Sequence, residues 1–143
     1  MSDPKRIVLD ANILLRGAFG LRVRNLLAAY QETVAFYTPD LCVEEALRHA
    51  PKIAKLRNLD PEHSRAYLSQ LLQTCVNAVD RTLYEEFEDR ARARISSRDP
   101  DDWPIVATAL VLDAPIWTED QDFFGTGIAT WTTNKIELYL RDA

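Results

Sequence analysis

The chain has 143 residues, 47% of them hydrophobic and 27% charged, with a formal net charge of −5. That is the length of one ordinary domain and enough for a core that needs no disulfide staples, so residues 1–143 read as a single domain. The acidic balance excludes an architectural nucleic-acid binder working by phosphate neutralisation, but not an enzyme that meets phosphate through metal ions held on carboxylates.

In chain order, MSDPKRIVLD lacks the shape of a signal peptide, and KRIVLD (5–10) reads as a buried strand behind basic residues. Residues 20–32 place Leu21, Leu26, Leu27 and Tyr30 at near-helical spacing, and VAFYT (34–38) is a second strand. Pro39 suits a first helical turn and LCVEEALRHA follows it; Asp60 and Pro61 start another helix carrying Tyr67, Leu68, Leu71 and Leu72. CVNAV (75–79) is a third strand. Residues 82–95 form a helix with Leu83, Phe87, Ala91 and Ile95 on one face. IVATALVLD (105–113) is a helix, PIWTED (115–120) a strand, GIATW (127–131) a short strand and NKIELYLR (134–141) a closing helix. Cys42 and Cys75 lie in apolar segments and are expected as buried thiols, not a disulfide. No run approaches the roughly 20 apolar residues of a membrane span, and a cytoplasmic chain is expected.

Strands alternate with helices throughout. That pattern gives an α/β, three-layer sandwich with a mostly parallel central sheet and right-handed crossovers. Sites in such sheets form beyond the carboxyl ends of the strands, and the carboxylates of this chain gather at those exits. Asp10 ends the first strand, either capping the next helix or freed from that role by Asn12. Asp120 and Asp122 follow the PIWT strand, with Thr118 placed to orient a neighbouring carboxylate. Positions 102, 105, 106 and 109 share a helical face, so Asp102 tops a buried stripe, while Asp101 suits the N-cap and Asp99 faces solvent or the rim of the site. Glu44 and Glu45 both border an apolar face, and helical phase does not decide between them. Four inward carboxylates without basic partners would repel one another. A hard divalent cation, Mg²⁺ or Mn²⁺, removes that cost and brings phosphodiester hydrolysis within reach.

IVLDANILL, TPDLCVEEAL, DDWPIVATAL and IWTEDQDFF, in that order, resemble the PIN-domain family of ribonucleases, which includes VapC-type toxins. The resemblance covers essentially the whole chain. It implies metal-ligating acids at Asp10, at Glu45 with Glu44 close behind, at Asp102 and at Asp120. Asp122 is an additional member, and Asn12 supports the first aspartate. It further implies an RNA substrate, and a toxin role with an antitoxin protein as one setting for it. Trp103 and Pro104 depart from the pattern, since small toxins of the family commonly carry a small residue after the third acid. Ile136, Leu138, Tyr139 and Leu140 of the closing helix suggest a homodimer.

Two other readings compete. A haloacid-dehalogenase-like phosphatase would need an aspartate where Asn12 stands. A non-catalytic PIN-like protein- or RNA-binding module would not need the acidic set. Arg90, Arg92, Arg94 and Arg98 are read as a solvated helix face, His49 and His63 as too far apart for a zinc pair, and Trp117 and Trp131 as core residues.

Overall fold

The computed structural model describes residues 4–95 and 99–141. A five-stranded, all-parallel sheet has the order β3-β2-β1-β4-β5, from β1 (Lys5–Leu9), β2 (Val34–Pro39), β3 (Val76–Val79), β4 (Ile116–Trp117) and β5 (Thr130–Trp131). The helices are α1 (Ala11–Phe19), α2 (Leu21–Tyr30), α3 (Asp40–Leu56), α4 (Ser64–Thr74), α5 (Arg81–Tyr84), α6 (Glu88–Ile95), α7 (Trp103–Leu112) and α8 (Ile136–Leu140). Helices α1 to α4 pack on one another, while α5, α6 and α7 form a second group, with α7 against β1 and β2. Right-handed crossovers explain the division. The chain steps from β1 to β2 to β3, then returns past β1 to β4, and the reversal sends its helices to the other face. The strand order therefore switches between β1 and β4, which opens a crevice at their carboxyl ends.

β1 is the spine of the sheet: Ile7, Val8 and Leu9 are fully buried, as an interior parallel strand covered on both faces requires. Across the sheet Phe36 and Trp117 are also fully buried, their ring centroids 6.3 Å apart. Trp131 is half-buried and packs on Tyr139 at 5.8 Å. Cys42 is buried and Cys75 half-buried, both free thiols. Among the described residues no helix is long and apolar enough to cross a membrane.

Several expected elements differ. ANILLRGAF forms a helix of its own, α1, which sequence reading did not set apart from the chain that follows β1. The helix expected over 82–95 is broken: α5 ends at Tyr84, a 3-10 turn spans Glu85–Phe87, and α6 begins at Glu88. The tighter turn shifts the phase, so Leu83 is exposed and Tyr84 is buried in its place. The two last strands shrink to two residues each. Helix α3 runs on through Pro51 to Leu56. In α8, Ile136 and Leu140 go into the chain's own core and Leu138 is left exposed, which removes most of the apolar surface suggested for a homodimer. Of the basic run, Arg98 lies outside the described residues.

Candidate functional site

A cleft of about 480 Å³ opens at the carboxyl ends of β1 and β4, lined by Asp10, Glu45, Asp102, Glu119 and Asp120. Ile105 and Phe123 supply apolar wall, and Asn12 and His49 complete the polar rim. Among the described residues the lining holds no lysine or arginine.

Asp10 is the best-held of these side chains. It leaves β1 in extended backbone and caps α1, its Oδ1 accepting from the Ile13 N–H at 2.9 Å. Its Oδ2 accepts from the Thr118 hydroxyl at 2.5 Å. The Thr118 Oγ1 in turn accepts the Asp120 N–H at 2.9 Å, and Asp120 Oδ1 accepts the Asp122 N–H at 2.9 Å. One hydrogen-bonded chain thus links the exits of β1 and β4 and the start of the 3-10 turn Gln121–Phe123. Below it, the buried Thr38 hydroxyl donates to the Leu9 carbonyl at 2.8 Å and ties β2 to the end of β1. Asp10 is both cap and cleft residue; the cap role considered for Asn12 does not arise, and Asn12 sits exposed on α1.

Asp102 arrives by another route. Pro100 opens a 3-10 turn, Pro100–Asp102, capped by Asp99, whose Oδ1 accepts the Asp101 N–H at 3.1 Å. The cap expected at Asp101 is therefore corrected: Asp99, exposed as expected, is the residue that caps, and Asp101 is exposed without a capping bond. The reason is the inserted turn, which moves the first unpaired N–H back by one turn. Asp102 occupies the N-cap of α7 and makes no side-chain capping bond there, leaving its carboxylate directed at the cleft. Trp103 holds this shoulder. It is buried, its ring 5.7 Å from Tyr84, with the guanidinium groups of Arg81 and Arg92 at 5.6 and 5.5 Å from its centroid. Arg92 is fixed by a 2.7 Å bond from Nε to Glu88. The residue that departs from the family pattern, Trp103, thus serves packing in this chain. Tyr84 also donates to Asp40 at 2.5 Å, joining the start of α3 to α5.

Carboxylate oxygens of Asp102, Asp120 and Asp122 lie within 4.8 Å of one another. Glu45 is half-buried and lines the cleft, whereas Glu44 is exposed and lines a neighbouring hollow. Sequence reading missed His49 and Glu119. His49 follows Glu45 by four residues, one turn along the same helical face, and that spacing was a usable signal. Glu119 accepts the Thr133 N–H at 2.7 Å, a long-range bond that no local pattern announces.

Crowding shows in the acidities. Asp10 is pushed up to about 6, first by burial and further by the charges of Asp120 and Glu45; the bonds from Thr118 and Ile13 work against that rise. Asp102 is pushed up to about 7, by burial and then by Asp99, Asp120, Glu45 and Asp10. Burial and the same acids also push the Cys42 thiol well up, so it stays protonated. A cleft that raises its own acids toward neutrality is one that a cation would relieve. The donors are hard oxygens, which suit Mg²⁺ or Mn²⁺ far better than a soft thiolate-seeking metal.

A family model described as PIN domain matches residues 8–141. Among solved structures, the chain is similar to VapBC2 from Rickettsia felis bound to a DNA fragment from its promoter, with a TM-score of 0.71 and 14% identity, over 89% of this chain and 98% of that one. It is similar to PAE2754 from Pyrobaculum aerophilum, with a TM-score of 0.70 and 17% identity, over 97% of this chain and 91% of that one. It is similar to a toxin-antitoxin complex from Klebsiella pneumoniae, with a TM-score of 0.62 and 21% identity, over 89% of this chain and 97% of that one. At these identities the likeness is one of fold. No curated protein matches the chain significantly. The family match runs from Val8 inside β1 to Arg141 just past α8, and so takes in every element that lines the acidic cleft: the chain belongs to the PIN domain family.

Proposed function

We propose that the chain is a divalent-metal-dependent ribonuclease that hydrolyses RNA phosphodiester bonds in the cytoplasm, with Asp10, Glu45, Asp102 and Asp120 as metal ligands and Asp122 as a further one. The observation that carries this reading is the cleft itself: five carboxylates and, among the described residues, no lysine or arginine, at the point where the strand order switches. A bound Mg²⁺ or Mn²⁺ supplies Lewis-acid stabilisation of phosphoryl oxygens and a water acidic enough to act as nucleophile. The chain's own residues orient and shield. Thr118 and the Ile13 N–H hold both oxygens of Asp10 in place, Ile105 and Phe123 exclude water from one wall, and Asn12 offers a neutral amide at the lip. Asp10 and Asp102 hold protons up to near-neutral pH in the metal-free chain, so ligation is coupled to proton release.

Asp10→Asn tests the assignment. The amide oxygen can still accept the Ile13 N–H, so the fold is expected to survive. Mn²⁺-dependent cleavage of single-stranded RNA is expected to fall at least about a thousandfold, by analogy with the loss of a dominant electrostatic group. Undiminished cleavage by the folded variant would overturn the reading. A wild-type chain that binds no Mn²⁺ at millimolar concentration in calorimetry would favour the non-catalytic module instead. The fold's likeness to a toxin-antitoxin complex supports a toxin setting with an antitoxin partner. In that setting, induction of the chain alone arrests bacterial growth, and co-expression of the adjacent reading frame restores it. Normal growth with an active enzyme would mark a stand-alone nuclease.

A further inference from the structure

The acidic cleft continues past Asn12 into a second hollow of about 610 Å³, and the two share Asn12 and Leu15 in their walls. Two helices line both. On α1, Asn12, Leu15, Arg16 and Phe19 recur at the spacing of one helical face and lead about 10 Å along the axis. On α3, Glu45 and His49 line the cleft, and Ile53 and Leu56 continue the same stripe into the hollow.

Charge changes sign along this path. Among the described residues the cleft is lined by acids without lysine or arginine, and the hollow by Arg16, Arg22 and Arg57 without aspartate or glutamate. In a chain with 22 acidic and 17 basic residues, that is a sharp segregation. Two of the arginines are anchored. Arg57 Nη1 donates to the Phe19 carbonyl at 3.1 Å and Arg22 Nη2 to the Thr133 carbonyl at 3.3 Å. Thr133 is itself tied to the cleft through the bond from its N–H to Glu119. A guanidinium has five N–H donors, so one bond to a carbonyl fixes its position and leaves donors for an anion.

We propose that this hollow is the track for the strand beside the scissile phosphate: single-stranded RNA lies with one phosphate in the acidic cleft and its neighbours over Arg16, Arg22 and Arg57. The proposal rests on the ribonuclease reading above and adds how an acidic protein holds a polyanion. A carboxylate pocket repels RNA until its ion is bound, and a basic flank supplies the attraction that the pocket lacks. Leu15, Leu21 and Leu56 border the hollow, and no exposed aromatic ring stands among its lining residues. It therefore grips the backbone and stacks no bases, and its contribution is tolerant of sequence.

The test is binding of a fluorescein-labelled 12-nucleotide oligouridylate to the full chain in EDTA, followed by anisotropy over a salt series. Arg16→Gln/Arg22→Gln/Arg57→Gln is expected to weaken binding at least tenfold at 0.1 M salt. The slope of log K against log salt should become shallower by about two, since each lost contact to a single strand removes about 0.7. Arg16→Gln alone, which disturbs no backbone anchor, should take about a third of that slope and keeps the test decisive if the triple variant fails to fold. Oligouridylate binding that is absent in the wild type, or equal in wild type and variants, overturns the track. So does a variant that keeps oligouridylate but loses a Glu- and Leu-rich peptide, which would make the hollow a protein-docking surface. Mn²⁺-dependent cleavage of the dinucleotide UpU, too short to span both hollows, reports on the cleft separately. Arginine-dependent binding without cleavage of either RNA would overturn the ribonuclease reading and, with it, a scissile phosphate beside the track, leaving the arginine hollow as a single-strand-binding surface only.

Discussion

Asp10 and Asp102 line the same cleft but are placed by different physics. Asp10 is 6% exposed, and both of its oxygens accept protein hydrogen bonds, one from α1 and one from β4. Asp102 is half-buried, makes no capping bond, and owes its position to the aromatic packing of the residue after it. Hydrogen bonds fix the direction of a carboxylate; packing fixes only the backbone that carries it. The Asp10 corner is thus a rigid reference point and the Asp102 shoulder an adjustable one, free to close on an ion.

The largest test of this contrast removes the packing. Trp103→Ala takes a ring from between Tyr84, Arg81 and Arg92 and is expected to cost about 4 kcal/mol of stability, in the range for buried aromatic truncation. Among molecules that remain folded, Mn²⁺ affinity by calorimetry should fall about tenfold, and Trp103→Phe should recover most of it. Unchanged affinity in folded Trp103→Ala would mean that Trp103 serves the core alone and leaves Asp102 where it was.

The rigid corner carries a cost that pH reveals. The Asp10 pKa is raised from 3.8 to about 6, so the folded chain binds that proton more tightly than the unfolded one. The resulting stability is complete below about pH 4 and lost as pH rises through 6, an order-of-magnitude loss of about 3 kcal/mol for this buried group. Asp102 moves in the same direction and carries the window on to about pH 7. Urea unfolding in EDTA should therefore show the wild type losing stability relative to Asp10→Asn between pH 4 and 8, with Mn²⁺ cancelling the loss at the upper end. A constant difference across that range would break the account of Asp10 as a buried, strained acid.

Much of this architecture was open to a reader of the sequence, for identifiable reasons. β1 and β2 are dense apolar runs, and a carboxylate that ends such a strand in a parallel sheet has nowhere to go but the carboxyl edge. In α1 the polar face is narrow: exposed Asn12 and Arg16, four residues apart, are its only polar side chains, so the period of ANILLRGAF is marked at just two positions. The choice between Glu44 and Glu45 needed the packing of α3, since both flank its apolar stripe. The cap at Asp101 was misplaced because the reading took the helix to begin as α, whereas Pro100 begins a 3-10 turn. Glu119 and the arginine hollow depend on contacts across more than one element, which no local pattern contains.

Thr118→Val probes the bond that makes the corner rigid. The substitution keeps shape and removes the hydroxyl that donates to Asp10 and accepts from the Asp120 N–H. A buried acceptor and a backbone donor lose their partner together, at an expected cost of about 2 kcal/mol. Asp10, losing a bond that favoured its charged form, should rise further in pKa and extend the pH window upward. Thr118→Ser should restore both. A valine variant with wild-type stability and an unmoved pH profile would show that the Ile13 N–H alone orients Asp10.

The smallest effects separate the two exposed aspartates ahead of the shoulder. Asp99 accepts the Asp101 N–H and stands next after burial among the causes of the raised pKa of Asp102, whereas Asp101 makes no capping bond. Asp99→Ala should cost about 1 kcal/mol through the lost cap. It should also lower the pKa of Asp102, by removing a neighbouring negative charge, so that the decline in metal-free stability on the Asp102 side ends at lower pH. Asp99→Asn separates the two effects, keeping the cap while removing the charge. Asp101→Ala should change stability by no more than about 0.5 kcal/mol, the usual range for a surface site away from special features. If Asp101→Ala proves the costlier of the two, the 3-10 turn does not set the approach to Asp102, and the shoulder is held by its aspartates as much as by Trp103.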